Sequence, residues 1–117
     1  MISLKEFYIS VGGNVDEVVS RLNGSEDMTK RFLKKFLNDE SFSLLESSLK
    51  SNDVITAFRG AHSLKGVAST LGLHNLYSID FVITESLRAG KLEEAKNIFP
   101  KLAEEYKNVC NKINELE

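Results

Sequence analysis

The chain has 117 residues and a mass of 13.1 kDa, a size at which one domain can bury a core without a disulfide or a metal. Hydrophobic residues make up 42% of it and charged residues 27%, which excludes a disordered or fibrous chain. Seventeen acidic residues against fifteen basic ones give a net charge of −2, a balance that argues against a protein that binds nucleic acid.

The apolar residues recur at spacings of three and four, which predicts helices throughout the chain. Ser3 followed by Glu6 has the spacing of a capping box for a short first helix, which Gly12 ends. Asn14 opens a second short helix, and Ser25 caps a third. The apolar stripe of the third helix consists of Met28, Phe32, Leu33, Phe36 and Leu37.

A fourth helix is predicted over about 41–49. Asn52-Asp53 caps a fifth helix over about 53–72, which Gly72 can end. A turn at 73–75 leads into a sixth helix that ends at Gly90. The sixth helix carries Leu76, Ile79, Ile83 and Leu87 on one face.

A short segment over 92–98 precedes Pro100, which is placed to begin the last long helix at its first turn. Short connections between long amphipathic helices indicate antiparallel neighbours. We therefore expect an all-α fold, an antiparallel up-down four-helix bundle with short extra N-terminal helices, in which residues 1–117 form one domain.

One face of the predicted fifth helix is apolar, and a histidine lies on the opposite side. The apolar face consists of Ala57, Ala61, Leu64, Ala68 and Leu71. At ~100° per residue, His62 lies roughly 140° from the centre of this face and therefore points outward. Gly66 lies one turn after it and Arg59 one turn before it. Ile55 and Ser69 share the outward face, and Phe58 and Lys65 flank it.

Three features of this outward face are unusual for a solvated helix. A glycine inside a helix costs ~1 kcal/mol against alanine, yet both Gly60 and Gly66 lie within it. The face also carries apolar side chains, and two cations lie within one turn of the imidazole. We interpret Gly66 as clearance beside the ring, the apolar residues as contacts for a partner protein, and the cations as contacts for an anion. Each of these features alone is common on helices that only pack or face solvent. The interpretation therefore depends on finding all of them together, at this spacing, around one histidine.

The segment His62-Ser63-Leu64-Lys65-Gly66, followed by Gly72, resembles the signature His-x-Leu-Lys-Gly-x5-Gly of histidine-containing phosphotransfer (HPt) domains. The resemblance covers about residues 14–116, and residues 1–13, with the short first helix, lie outside it. One departure lies in the sixth helix, where the family often has Leu-Glu and this chain has Ile83-Thr84.

The resemblance implies a phosphoryl carrier in a two-component phosphorelay, which receives its phosphoryl group from a receiver-domain aspartate or from a histidine kinase. It assigns His62 as the phospho-acceptor, Lys65 as the residue that neutralises phosphoryl oxygens, and Gly66 as docking clearance. The partner-docking surface would then comprise Ile55, Phe58, Arg59 and Ser69. A neutral imidazole suits this role because the unperturbed pKa of histidine, ~6.5, leaves it nucleophilic at cytosolic pH.

The resemblance further implies that the magnesium ion lies on the partner receiver, so we expect no cofactor or metal in this chain. The expected partners are response-regulator receiver domains or a hybrid histidine kinase, with no nucleic acid and no membrane, and the chain itself is expected to be a monomer. No glycine-rich ATP motif is present, so we expect no enzyme activity of its own. The N-terminus shows no signal peptide, no apolar run approaches the ~20 residues of a membrane span, and Cys110 is the single cysteine. These features predict an independent cytoplasmic protein.

Other interpretations remain open at this point. A helical docking module that binds and modulates a receiver or kinase would need the outward face but not the imidazole. An unrelated bundle could carry the motif by chance, and an enzyme could use His62 as a general base, although no carboxylate or hydroxyl partner completes such a set. We expect His74 to belong to a turn or cap and Cys110 to pack at the edge of the core.

Overall fold

The computed structural model describes residues 1–117 and contains seven α-helices and no β-strand. In chain order they are α1 (Leu4–Ser10), α2 (Val15–Arg21), α3 (Glu26–Phe36), α4 (Ser41–Lys50), α5 (Val54–Leu71), α6 (His74–Arg88) and α7 (Leu92–Asn114). An isolated backbone bridge between Ile2 and Leu116 joins the two ends of the chain. The prediction of an all-α fold is confirmed. No helix combines the length and the apolar character that a bilayer crossing requires.

The helix ends follow the predicted capping residues. The Ser3 hydroxyl accepts a hydrogen bond from the Glu6 backbone N–H, and the Glu6 carboxylate accepts one from the Ser3 N–H, which completes the capping box. The side chains of Asn14, Ser25 and Asp53 each accept a hydrogen bond from the backbone N–H three residues later. Local sequence is therefore sufficient to explain where α1, α2, α3 and α5 begin.

Helix α5 lies at the centre of the fold, because α4 and α6 both pack along it and α7 packs along α6. Helix α4 also reaches α7, where the Phe42 ring stacks on the rings of Phe99 and Tyr106, with centroids 5.3 Å and 3.9 Å apart. Connections of two or three residues join these four helices. Their buried residues, with those of α1, α2 and α3, form one apolar cluster.

The predicted apolar face of α5 is confirmed, since Ala57, Ala61, Leu64, Ala68 and Leu71 are all buried. Gly60 is also buried, and a Cβ atom there would lie 2.8 Å from the backbone nitrogen of Leu45 in α4. The missing side chain thus allows α4 to approach α5 closely. Gly60 has a packing role, which separates it from Gly66 on the outward face.

The prediction that Pro100 begins the last helix is wrong, because α7 runs without a break from Leu92 to Asn114 and contains Pro100 in its interior. A proline inside a helix removes one backbone hydrogen bond and costs ~3 kcal/mol. Here buried side chains lie on both sides of it, with Ala95 before and Leu102 after. Continuous packing of this apolar stripe offsets the local cost, and Pro100 itself is exposed.

The N-terminal helices hold the end of α5. The Tyr8 hydroxyl donates a hydrogen bond to the Leu71 carbonyl at 2.8 Å. The Arg21 guanidinium donates to the carbonyls of Ser69 and Thr70 at 2.9 and 2.8 Å. The last carbonyls of a helix have no partner within the helix itself, so these contacts fix the C-terminal turn of the helix that carries His62.

Candidate functional site

His62 lies in the middle of α5 on its outward face, and its side chain is exposed. No other side chain forms a hydrogen bond or an ion pair with its imidazole. A nitrogen lone pair of this ring is therefore available to a reaction partner that arrives from solvent. The position agrees with the outward orientation predicted from helical spacing.

One flank of His62 is aromatic. The Phe58 ring, one turn earlier on α5, stacks on the imidazole with centroids 5.7 Å apart and an angle of 16° between the planes. The Arg88 guanidinium of α6 lies 4.9 Å from the centroid of the Phe58 ring. Arg88 also donates a hydrogen bond to the Glu85 carboxylate at 3.1 Å. A chain of contacts thus joins α6 to the exposed imidazole.

The other flank of His62 is open. No heavy atom lies within 4 Å of the position that a Cβ would occupy at Gly66. Gly66 lines a groove of about 770 Å³ between α3 and α5, together with Phe32, Lys35 and Ser63. A side chain at Gly66, one turn after His62, would project into this groove and meet no neighbour.

A second groove, of about 520 Å³, lies between α5 and the end of α6. Three of the four residues predicted as a docking surface line it, namely Ile55, Phe58 and Arg59. Ile55 is 69% exposed, whereas Phe58 is half-buried. Ser69 is exposed but lines a different pocket, beside Gly12 and Gly13. The structure therefore brings three of the four together and leaves Ser69 apart.

Lys65 lies one turn after His62 and is half-buried. Its ammonium lies 5.4 Å from the centroid of the Phe81 ring in α6, a cation–π distance, and it forms no ion pair. Arg59 on the same helix is exposed, and α5 contains no acidic residue. The surface of α5 around the imidazole is therefore positively charged, as binding of an anion would require.

Asp80, which the sequence analysis did not single out, lies in α6 and is fully buried. Neither of its carboxylate oxygens has a hydrogen-bond partner. Burial raises the pKa of Asp80 to about 8, and the positive charge of Lys65 opposes this shift. Its spacing from Leu76 and Ile83 is the signal that could have revealed it, because four and three residues place Asp80 within their apolar stripe.

The departure from the family pattern also lies in α6. Ile83 and Thr84 are both buried, and the Thr84 hydroxyl donates a hydrogen bond to the Asp80 carbonyl at 2.8 Å within the same helix. This position therefore offers no polar group to the exposed imidazole. Helix α6 instead contributes Arg88, which contacts Phe58, and Phe81, which contacts Lys65. The sequence pattern indicated neither contact.

The remaining candidates lie away from this surface. His74 is the exposed first residue of α6. Cys110 is half-buried, and burial raises the pKa of its thiol. The structure contains no group of three or more histidine, cysteine or acidic side chains that could share a metal ion.

Comparison with known proteins identifies one family. A family model for the Hpt domain matches residues 32–112, which is more than half of the chain and includes the whole of α4, α5 and α6. No curated protein and no solved structure gives a match. The matched range contains the exposed His62 with the Lys65 and Gly66 that follow it, and the chain therefore belongs to the Hpt domain family of two-component signalling.

Proposed function

We propose that this chain carries a phosphoryl group between partner proteins of a two-component phosphorelay, as a phosphohistidine at His62. The observation that carries the proposal is an exposed imidazole in mid-helix, without a hydrogen-bond partner and at the histidine of the family signature. Hpt domains are phosphocarrier modules and not enzymes in the usual sense. The donor is a receiver-domain aspartate or a histidine kinase, and the acceptor is a second receiver.

The transfer needs one bond to form and one to break. A lone pair on an imidazole nitrogen attacks the phosphorus of the aspartyl phosphate, the N–P bond forms, and the P–O bond breaks. The electron pair leaves with the aspartate carboxylate. The attacking and leaving atoms must be nearly in line, so the imidazole has to enter the partner's acidic site. The exposure of His62 on the outward face of α5 supports this geometry.

The neighbours of His62 have complementary roles in this proposal. Lys65 turns its flexible side chain toward the phosphoryl oxygens and neutralises them, while Gly66 leaves room for the loops of the receiver. The groove lined by Ile55, Phe58 and Arg59 receives part of the partner's surface, with Ser69 at the far end of the same helix. The magnesium ion and acidic pocket belong to the receiver. The carrier acts as a cytoplasmic monomer without an ATP site of its own.

The experiment is transfer from receiver domains charged with a radiolabelled phosphodonor. Wild-type protein is expected to take up label that is stable in base and labile in acid, as a phosphohistidine is. His62→Gln is expected to take up none while its helical circular dichroism is unchanged. His74→Gln is the matched control, since His74 is the other exposed histidine, and this variant is expected to behave as wild type.

Two outcomes would contradict the proposal. Label that persists in His62→Gln would place the acceptor elsewhere. Binding of a receiver without any label on the wild type would instead support the docking module that carries no phosphate.

A further inference from the structure

We propose that Phe58 is a positioning residue that holds the imidazole of His62 in the orientation needed for transfer, and that Arg88 holds Phe58 in turn. This role rests on the proposed function of His62. It departs from the sequence prediction, in which Phe58 belongs only to the docking surface.

The need for such a residue follows from the surroundings of His62. An exposed side chain changes rotamer on the picosecond-to-nanosecond timescale unless a contact restrains it. No hydrogen bond restrains this imidazole. The stack on Phe58 is its one aromatic contact, with nearly parallel planes 16° apart. In-line attack depends on the direction of the nitrogen lone pair, so a freely rotating ring would react less often.

Helix geometry explains why these two rings meet. Residues four apart lie on the same face of a helix, and side chains lean toward the N-terminus. The imidazole of His62 therefore leans toward the preceding turn, where Phe58 lies. An offset stack lies against part of one face of the imidazole and leaves its edge free. Both ring nitrogens lie on that edge, and the lone pair of the unprotonated nitrogen points outward in the ring plane, so the contact restrains the ring without blocking the attack.

Contacts with α6 hold Phe58 itself. The guanidinium of Arg88 lies over the Phe58 ring at 4.9 Å, and the Glu85 carboxylate accepts a hydrogen bond from Arg88 at 3.1 Å. Phe58 is half-buried in the groove that Leu87 also lines. The orientation of the imidazole is therefore tied to the packing of α6 on α5 and does not depend on α5 alone.

The test is single-turnover transfer from a charged receiver, measured over a range of receiver concentrations. Phe58→Leu keeps an apolar side chain in the docking groove but removes the stack. We expect it to lower the maximal rate by about 3- to 10-fold and to change the half-saturating concentration by a smaller factor. Phe58→Tyr restores the aromatic ring and is expected to restore the rate. Arg88→Met is expected to lower the maximal rate by a smaller factor.

A matched control is Phe99→Leu, which removes an equivalent stack on Phe42 away from the site and is expected to leave transfer unchanged. Proton NMR supplies a second readout that needs no phosphate, because ring-current shifts of the His62 ring protons should be lost in Phe58→Leu and retained in Phe58→Tyr.

Three results would overturn this role. A wild-type maximal rate in Phe58→Leu would show that the stack does not position the ring. An increase in the half-saturating concentration with a wild-type maximal rate would make Phe58 a docking contact only. Absence of label on the wild type would overturn the proposed function and this role together, whereas the first two results overturn only the role of Phe58.

Discussion

Asp80→Asn is expected to stabilise the protein at neutral pH. The side chain of Asp80 is buried and its carboxylate oxygens have no hydrogen-bond partner. Burial raises its pKa from 3.8 to about 8, against the opposing charge of Lys65. Asparagine has nearly the shape of the protonated acid but does not ionise in the folded or the unfolded state. The substitution therefore removes the titration and changes the packing little.

The size of the stabilisation expected for Asp80→Asn follows from the linkage between protonation and folding. The unfolded chain releases the Asp80 proton near pH 4, whereas the folded protein keeps it until about pH 8. Between these values the folded state binds one more proton, so the free energy of unfolding falls as pH rises through this window. A carboxylate with a lowered pKa behaves in the opposite way. The slope for one proton is about 1.4 kcal/mol per pH unit. Raising the pH from 4 to 7 therefore lowers the free energy of unfolding of the wild type by about 4 kcal/mol through Asp80.

Urea unfolding at several pH values measures this difference. The two proteins should have similar stability near pH 4, and at pH 7 the variant should exceed the wild type by about 4 kcal/mol, which moves the urea midpoint by more than about 1 M. Asp53→Asn is the control, because the hydrogen bond from Thr56 lowers the pKa of Asp53 and its contribution has the opposite pH dependence. A difference that does not grow with pH, or a less stable Asp80→Asn, would contradict a raised pKa of Asp80 in the folded protein.

Further predictions concern the glycines of α5 and the contact that holds its end. Gly66→Leu should slow phosphotransfer by obstructing the partner's approach one turn from His62, while thermal stability stays equal or rises because the site is open. Normal transfer in this variant would refute the clearance role. Gly60→Ala should lower the free energy of unfolding by about 1–3 kcal/mol in thermal or urea unfolding, because its Cβ would collide with the backbone of α4; unchanged stability would show that α4 moves aside freely. Tyr8→Phe leaves the Leu71 carbonyl without its donor and should cost about 1–3 kcal/mol, with faster hydrogen exchange at the end of α5; exchange at the wild-type rate would contradict this.

The features that sequence could predict are those set by local chemistry. Ser3, Asn14, Ser25 and Asp53 cap helices because their side chains accept hydrogen bonds from N–H groups only three residues away. The buried face of α5 follows in the same way from the spacing of small and apolar residues. The exposure of His62 is the complement of that face, which is why helical spacing alone could place it.

The features that sequence could not predict depend on contacts between helices. Pro100 is tolerated inside α7 because packing on both sides of it outweighs the local cost. Asp80 lies in an apolar stripe, but only its neighbours in α5 and α7 decide that its carboxyl is buried without a partner. The contact of Arg88 with Phe58 joins residues thirty positions apart. No periodicity within either helix contains that information.

The central claim is that His62 carries a phosphoryl group onward between receivers, and the most direct test is transfer out of the labelled protein. Phosphorylated wild-type protein, separated from its donor, is mixed with a second, uncharged receiver and magnesium. The account predicts that label leaves His62 and appears on the aspartate of the second receiver. Label that remains on the carrier with every receiver that binds would contradict a relay.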